Sequence, residues 1–198
     1  MKKQNIRKLA YLGALTAILL IFSFTPIGYL HIGTVEITFN MIPVILGATT
    51  LGALGGTILG TVFAVTSFIQ CFGMSEFGTL LFGVSPILTF VLCFVPRMIA
   101  GFLPAIIYKS LVKKNSIAAH TTAALSGSLL NTILFTAGFC LMFRGTMLGM
   151  AESQDFASPM AFLAAAFIIN GAIEAVVCTV VCVPIGKATE KFLAHHEY

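Results

Sequence analysis

Residues 77–108 read FGTLLFGVSPILTFVLCFVPRMIAGFLPAIIY, a run of 32 residues whose one charged side chain is Arg97. A membrane-spanning helix needs about 20 apolar residues, because the hydrocarbon core of a bilayer is about 30 Å thick. A charge at the centre of that core costs at least about 2.5–3.5 kcal/mol, so long charge-free runs mark where a chain crosses. The stretch therefore predicts a membrane-spanning helix that buries a single arginine.

The rest of the chain has the same character. Over 198 residues, 58% are hydrophobic, 9% are charged and the mean hydropathy is +1.02, whereas an ordinary soluble domain is about 25% charged. This composition excludes a soluble globular protein, and it also excludes disorder, which requires low hydrophobicity and high charge. The net charge of +4 is too small and too scattered for a nucleic-acid surface. We therefore expect a multi-pass protein surrounded by a lipid bilayer, with no nucleic-acid partner.

Spacing between charged residues predicts an all-α bundle of six membrane-spanning helices. The second and third helices lie in one charge-free stretch, 37–75, and are separated by a turn signal in Gly52, Gly55 and Gly56. The chain is predicted to be a single membrane domain, 1–198, with helices near 8–28, 38–51, 54–72, 86–110, 118–143 and 159–187. With both termini in the cytoplasm, nine of the 11 Lys and Arg residues fall on the cytoplasmic side, as the positive-inside rule requires.

Four polar residues are predicted to reach similar depths inside this bundle. At a rise of about 1.5 Å per residue, Arg97 and Glu174 lie roughly 18–20 Å from the cytoplasmic boundary, close to the level of Asn131 and Asn170. One hypothesis is structural, with an ion pair between Arg97 and Glu174 and asparagines that hydrogen-bond between helices. The other makes these four residues the floor of an outward-opening substrate pocket. Arg97 would then anchor a carboxylate or phosphate, and the amides would bind hydroxyl or amide groups.

Small residues form a second pattern on the first helix. Ala10, Gly13, Ala14 and Ala17 are spaced three and four apart, which places them on one helical face. Such a face allows a second helix to approach closely. It serves either packing within this chain or the docking of a partner subunit.

Catalytic and metal-binding patterns are not apparent. The chain contains no G-x-x-x-x-G-K-[ST] phosphate-binding loop and no suggestive Ser/His/Asp or Cys/His set. Its five cysteines are interpreted as small buried hydrophobes, and Cys178 and Cys182 lack other soft metal ligands nearby. We expect neither an enzyme nor a cofactor or metal site.

Five segments, in order along nearly the whole chain, resemble the substrate-specific S component of energy-coupling factor (ECF) vitamin transporters. They are Phe24-Thr25-Pro26-Ile27-Gly28, Ile42-Pro43-Val44-Ile45-Leu46-Gly47-Ala48, Val95-Pro96-Arg97, Gly127-Ser128-Leu129-Leu130-Asn131-Thr132, and Asn170-Gly171-Ala172-Ile173-Glu174-Ala175 followed by Pro184.

The resemblance implies a protein of the bacterial plasma membrane that captures a vitamin from outside, with loops such as 29–37 and 73–85 closing over it. It also implies docking of Ala10 and Ala14 onto a membrane scaffold, the T component, which is carried by two ATPase A subunits. ATP-driven toppling of the S component would then release the vitamin inside.

Within the family, the pattern is most similar to pantothenate-type members. Pantothenate has one carboxylate, an amide and two hydroxyls, which suit Arg97, Asn131 and Asn170. Riboflavin is the alternative ligand, since the 18 Phe and 4 Tyr of the chain offer stacking surfaces. Two other classes remain open: a stand-alone secondary vitamin transporter, although the inverted repeats typical of that class are not evident, and a purely structural membrane scaffold.

Overall fold

The computed structural model describes residues 2–32, 35–154 and 156–194, with their side chains apart from those of residues 2–5, 27, 29–32, 35–37 and 191–194. The α-helices in this part are α1 (Lys2–Phe24), α2 (Met41–Gln70), α3 (Glu76–Val84), α4 (Pro86–Leu111), α5 (Ser116–Met142), α6 (Arg144–Ser153), α7 (Pro159–Leu163) and α8 (Ile169–Ala194). A π-helix, Ala164–Ile168, joins α7 to α8.

Five helical segments of the described chain are long and apolar enough to cross a membrane. They are Ile6–Phe24, Met41–Gln70, Pro86–Leu111, Ser116–Met142 and Pro159–Glu190. The helical membrane-type fold expected from the composition is therefore present.

The connection after α1 differs from the prediction. The helix ends at Phe24 instead of continuing to residue 28, because a residue that precedes proline is disfavoured in the helical conformation, and here Thr25 precedes Pro26. A short 3₁₀ helix, Pro26–Gly28, follows, and an antiparallel hairpin then pairs β1 (Tyr29–Ile32) with β2 (Val35–Thr38). The expectation of an all-α fold is corrected by this one hairpin.

Helix α2 is broken at Gly52, whose φ of 76° and ψ of −166° are non-helical. Glycine adopts a positive φ without the steric cost that a Cβ brings. An added Cβ at Gly56 would lie 2.8 Å from the Cβ of Ala48, although eight residues of continuous helix would separate these positions by about 12 Å. The chain therefore reverses at Gly52, at the glycine turn that the sequence indicated, and the two halves of α2 pack against each other.

Glycines also bring α2 against α4. An added Cβ at Gly56 would overlap the carbonyl oxygen of Gly101, and one at Gly60 would lie 2.5 Å from the carbonyl oxygen of Arg97. Small residues at such spacings let two helix backbones approach closely in a membrane protein. This contact holds the Arg97 segment of α4 against the second half of α2.

The variant Gly101→Ala is expected to lower the free energy of unfolding by about 1–3 kcal/mol, because its methyl group would force the two backbones apart. Thermal unfolding in detergent measures the effect. The matched control is Gly83→Ala in α3, where an added Cβ meets nothing within 4 Å. An unchanged melting temperature in Gly101→Ala would contradict the close backbone contact.

Two apolar clusters build the described core. One joins α1, α2, α4, α5 and α8, and its fully buried members include Leu19, Met41 and Leu59. The other contains residues from α3, α4, α5, α6 and α7, which pack around Phe139 and Phe143. The large cavity of the protein lies between them, since Phe63 of the first cluster and Phe135 beside the second both line it.

Candidate functional site

A cavity of about 1000 Å³ is lined by residues from α1, β2, α2, α3, α4, α5 and α8. All four polar residues singled out in the sequence line this cavity: Arg97, Asn131, Asn170 and Glu174. The structure thus brings them together around one space, as a ligand pocket requires. Their binding of a ligand stays a prediction.

Helix α4 positions Arg97 through the proline that precedes it. Pro96 has no backbone N–H, so the carbonyl oxygen of Leu92 lacks its usual helical donor. Nη1 of Arg97 donates to that oxygen at 3.3 Å and to the carbonyl oxygen of Cys93 at 3.1 Å. The Pro96-Arg97 pair therefore turns the guanidinium back along its own helix and holds it at the cavity wall.

A hydroxyl and two aromatic rings also lie against the Arg97 guanidinium. Nε donates to Oγ of Ser67 on α2 at 3.0 Å. The guanidinium carbon lies 4.9 Å from the ring centroid of Phe63 and 5.5 Å from that of Phe135. Stacking on rings is typical of arginine and keeps its planar fork rigid. A fixed cation of this kind suits recognition of an anionic group.

Asn131 and Asn170 lie at the contact between α5 and α8. An added Cβ at Gly171 would overlap the side chain of Thr132, so the two helices approach closely beside the two asparagines. Oδ1 of Asn131 and Oγ1 of Thr136 are buried, and neither has a hydrogen-bond partner within the described chain. Both residues line the cavity. Because a buried polar atom without a partner costs about 1–3 kcal/mol, these atoms are candidates for contact with a polar ligand.

Glu174 connects α8 to the hairpin. Its Oε1 accepts a hydrogen bond from Oγ1 of Thr38, the last residue of β2. Both residues line the cavity, and Glu174 is half-buried. Its ion pair with Arg97 stays a prediction.

Several cavity residues were not singled out in the sequence. They include Ser23 of α1, Asn40 directly before α2 and Gln70 at the end of α2, all neutral polar residues. Oγ of Ser23 donates to Oγ1 of Thr66 at 3.1 Å and to Oδ1 of Asn40 at 3.4 Å, and Nε2 of Gln70 donates to the carbonyl oxygen of Ser23. Asn40 and Gln70 carry amides within the charge-free stretch 37–75. An amide in an apolar stretch is the same sequence signal that identified Asn131.

The predicted loop 73–85 contains α3, which begins after Ser75, whose Oγ accepts from the backbone N–H of Gly78 at 3.2 Å. Residues 74–77 line the cavity. The ring centroid of Phe77 lies 5.3 Å from that of Phe139 and 5.8 Å from that of Phe167. This segment thus forms part of the cavity wall. In the other predicted lid, 29–37, residues 33 and 34 and all the side chains lie outside the described residues.

The small-residue face of α1 points away from the rest of the described chain. Ala10, Gly13, Ala14 and Ala17 are all exposed, and an added Cβ at Gly13 would meet nothing within 4 Å. Packing inside the described chain therefore does not account for this face. Its use as a docking surface stays a prediction.

These features define a multi-pass membrane protein whose described residues surround a large, partly polar cavity. The sequence matches the family model "ECF transporter, substrate-specific component" over residues 7–186, and the chain belongs to that family. It is also similar to the pantothenic acid transporter PanT of Lactococcus lactis subsp. cremoris (strain MG1363), with 27% identity over 158 residues that cover 74% of this chain and 79% of that protein. Members of this family are the substrate-specific components of transporters, and they work together with an energy-coupling module. The family is a class of transporter components and not of enzymes.

Proposed function

We propose that the chain is the S component for pantothenate. The observation that carries the proposal is the cavity in which Arg97 lies with Oδ1 of Asn131 and Oγ1 of Thr136, two buried atoms that have no hydrogen-bond partner among the described residues. Pantothenate offers a carboxylate for the arginine, and an amide and two hydroxyls for the neutral groups. The similarity to a protein named as a pantothenic acid transporter supports the same ligand.

Four of the cavity residues have roles in this proposal that follow from the chemistry of their side chains. Arg97 pairs with the ligand carboxylate through charge-assisted hydrogen bonds from its guanidinium. Oδ1 of Asn131 accepts from a hydroxyl or the amide N–H of the ligand, and the Thr136 hydroxyl completes that hydrogen-bond set. Glu174 accepts from a second ligand hydroxyl, in exchange for or together with Thr38.

The transport cycle that we propose uses six membrane crossings with both termini in the cytoplasm. We assign the two halves of α2 to two of the crossings, since the chain reverses at Gly52. At about 1.5 Å per residue the first half covers only part of the hydrocarbon core, so residues that precede Met41 complete its crossing. The exposed face of α1 docks on a T component held by two ATPase A subunits. ATP hydrolysis then topples the S component and releases the ligand on the cytoplasmic side.

Cysteine labelling tests this topology. Cysteines placed beside Glu76 in α3 and Glu152 in α6 should react with an impermeant reagent added outside sealed cells. A cysteine beside Lys113 should react only after the membrane is opened. Labelling near Lys113 in sealed cells would contradict the six-crossing arrangement.

Riboflavin is the second candidate ligand, and the aromatic lining of the cavity favours it. Phe63, Phe77, Phe135 and Phe167 all line the cavity, and aromatic rings stack well on a flat ring system. A flavin would use these rings more than Arg97.

Transport assays separate an S component from a stand-alone carrier. We expect vesicles that contain the chain alone to bind pantothenate without accumulating it. Addition of the T component and both ATPases should give ATP-dependent uptake. Accumulation by the chain alone would identify a secondary transporter, and a folded chain that binds no ligand would identify a structural scaffold.

A further inference from the structure

Two cysteines lie together beside the large cavity. Cys71 follows directly on α2, and Cys93 lies in the first half of α4. Each is 5% exposed, and neither takes part in a disulfide. Both line one small cavity between α2, α3 and α4. This placement brings two nucleophilic thiols to the same space.

The thiol pair belongs to the same helix contact that holds Arg97. Sγ of Cys71 donates to the carbonyl oxygen of Ser67 at 3.3 Å, and Oγ of Ser67 accepts from Nε of Arg97 at 3.0 Å. Nη1 of Arg97 in turn donates to the carbonyl oxygen of Cys93 at 3.1 Å. The four residues thus lie in one chain of contacts between α2 and α4, which runs from the thiol of Cys71 to the backbone of Cys93.

A small cavity lies beside the two cysteines. Its volume is about 90 Å³, and both Cys71 and Cys93 line it. It shares Ser67, Ser75 and Phe77 with the large cavity, so the two spaces adjoin. Because a water molecule needs about 10–15 Å³ of such volume, a molecule slightly larger than water fits beside the thiols.

We propose that Cys71 and Cys93 form a redox modification site, in which hydrogen peroxide converts the thiol pair into a disulfide. One thiol attacks an oxygen of the peroxide, the O–O bond breaks, and a sulfenic acid and one water are formed. The second thiol attacks the sulfenic sulfur, which forms the S–S bond and releases a second water. Two thiols are oxidised by two electrons, and the peroxide is reduced to two waters.

The disulfide links Cys71, which precedes α3 in the chain, to α4, the helix that carries Arg97. Gly78 of α3 packs directly on Cys71, since an added Cβ there would lie 2.9 Å from Sγ. A covalent bond from Cys71 to Cys93 therefore restrains both the α3 wall of the cavity and the Arg97 turn of α4. Slower exchange of ligand is the expected consequence. This consequence rests on the proposed function, whereas formation of the disulfide does not.

Oxidation of the full-length chain in lipid nanodiscs with hydrogen peroxide tests the site. We expect the loss of two of the five thiols, a cross-linked peptide pair containing Cys71 and Cys93 by mass spectrometry, and reversal by dithiothreitol. Cys93→Ser should abolish the cross-link. Cys178→Ser, a buried cysteine elsewhere in the bundle, should leave it intact. A folded protein that keeps all five thiols, or that forms other cross-links instead, would overturn the proposal.

A second experiment repeats the oxidation with pantothenate present as the probe. Saturating pantothenate should slow the loss of the two thiols, because the occupied large cavity obstructs access to the small one. Cross-linking at an unchanged rate would support the redox site and count against pantothenate as the ligand. Failure of the cross-link with pantothenate bound normally would overturn the redox site and leave the proposed function standing.

Discussion

Replacement of Arg97 by glutamine is expected to weaken pantothenate binding by about 2–5 kcal/mol, much of it the penalty of leaving the ligand carboxylate unpaired in a dry site. This is roughly 30-fold to several thousand-fold in Kd. An analogue whose carboxylate is replaced by an amide should lose less affinity to the variant than pantothenate does. Titration of the purified proteins measures both effects. Arg144→Gln is the matched control, because Arg144 is exposed on α6 and does not line the cavity.

The alternative role of Arg97 as a partner of Glu174 predicts a different result. Arg97→Gln would then lower the melting temperature of the ligand-free protein by leaving a carboxylate uncompensated, and the double variant Arg97→Gln, Glu174→Gln would recover it. Full-strength pantothenate binding by a folded double variant would refute the anchor. The case for an anionic ligand would fall with it.

Replacement of Ala14 by leucine is expected to abolish ATP-dependent uptake while leaving ligand binding intact. A bulky side chain on a small-residue face separates two helix backbones that would otherwise pack closely. Because Ala14 is exposed, the change should not disturb the bundle itself. Uptake in vesicles that contain the T component and ATPases, together with ligand titration of the isolated chain, measures the two properties.

The control for this variant is Ala137→Leu, which enlarges an exposed alanine on α5. Its uptake should match that of the unmodified chain. Lost ligand binding by Ala14→Leu, with partner subunits still co-purifying, would show that the α1 face acts within the chain. Normal uptake by Ala14→Leu would place the docking surface elsewhere.

The sequence predicted the helical membrane fold well because the physical signal is strong. A charge in hydrocarbon is costly, so gaps between charges such as the run before Arg97 locate apolar helices with little help from tertiary structure. The turn at Gly52 was also visible, since glycine marks a chain reversal. The hairpin that starts at Tyr29 was missed because four-residue strands carry too short a pattern to be distinguished from a loop.

The cavity was only partly visible in the sequence. Arg97 and Glu174 stood out because ionisable residues are rare in membrane helices. Ser23, Thr38 and Thr136 carry no such signal, since hydroxyl side chains are ordinary in helices and often bond to their own backbone. Their place at the cavity depends on tertiary contacts such as the one between Thr38 and Glu174. The small cavity that Cys71 and Cys93 share likewise brings together residues that are distant in the sequence, which sequence spacing does not reveal.

Native mass spectrometry of the purified chain, incubated with an equimolar mixture of pantothenate and riboflavin, tests the central claim most directly. The account predicts one pantothenate bound per chain and no riboflavin, with the bound mass lost in Arg97→Gln and kept in Arg144→Gln. Riboflavin bound in preference to pantothenate, or no bound ligand on a chain that keeps its helical fold, would contradict it.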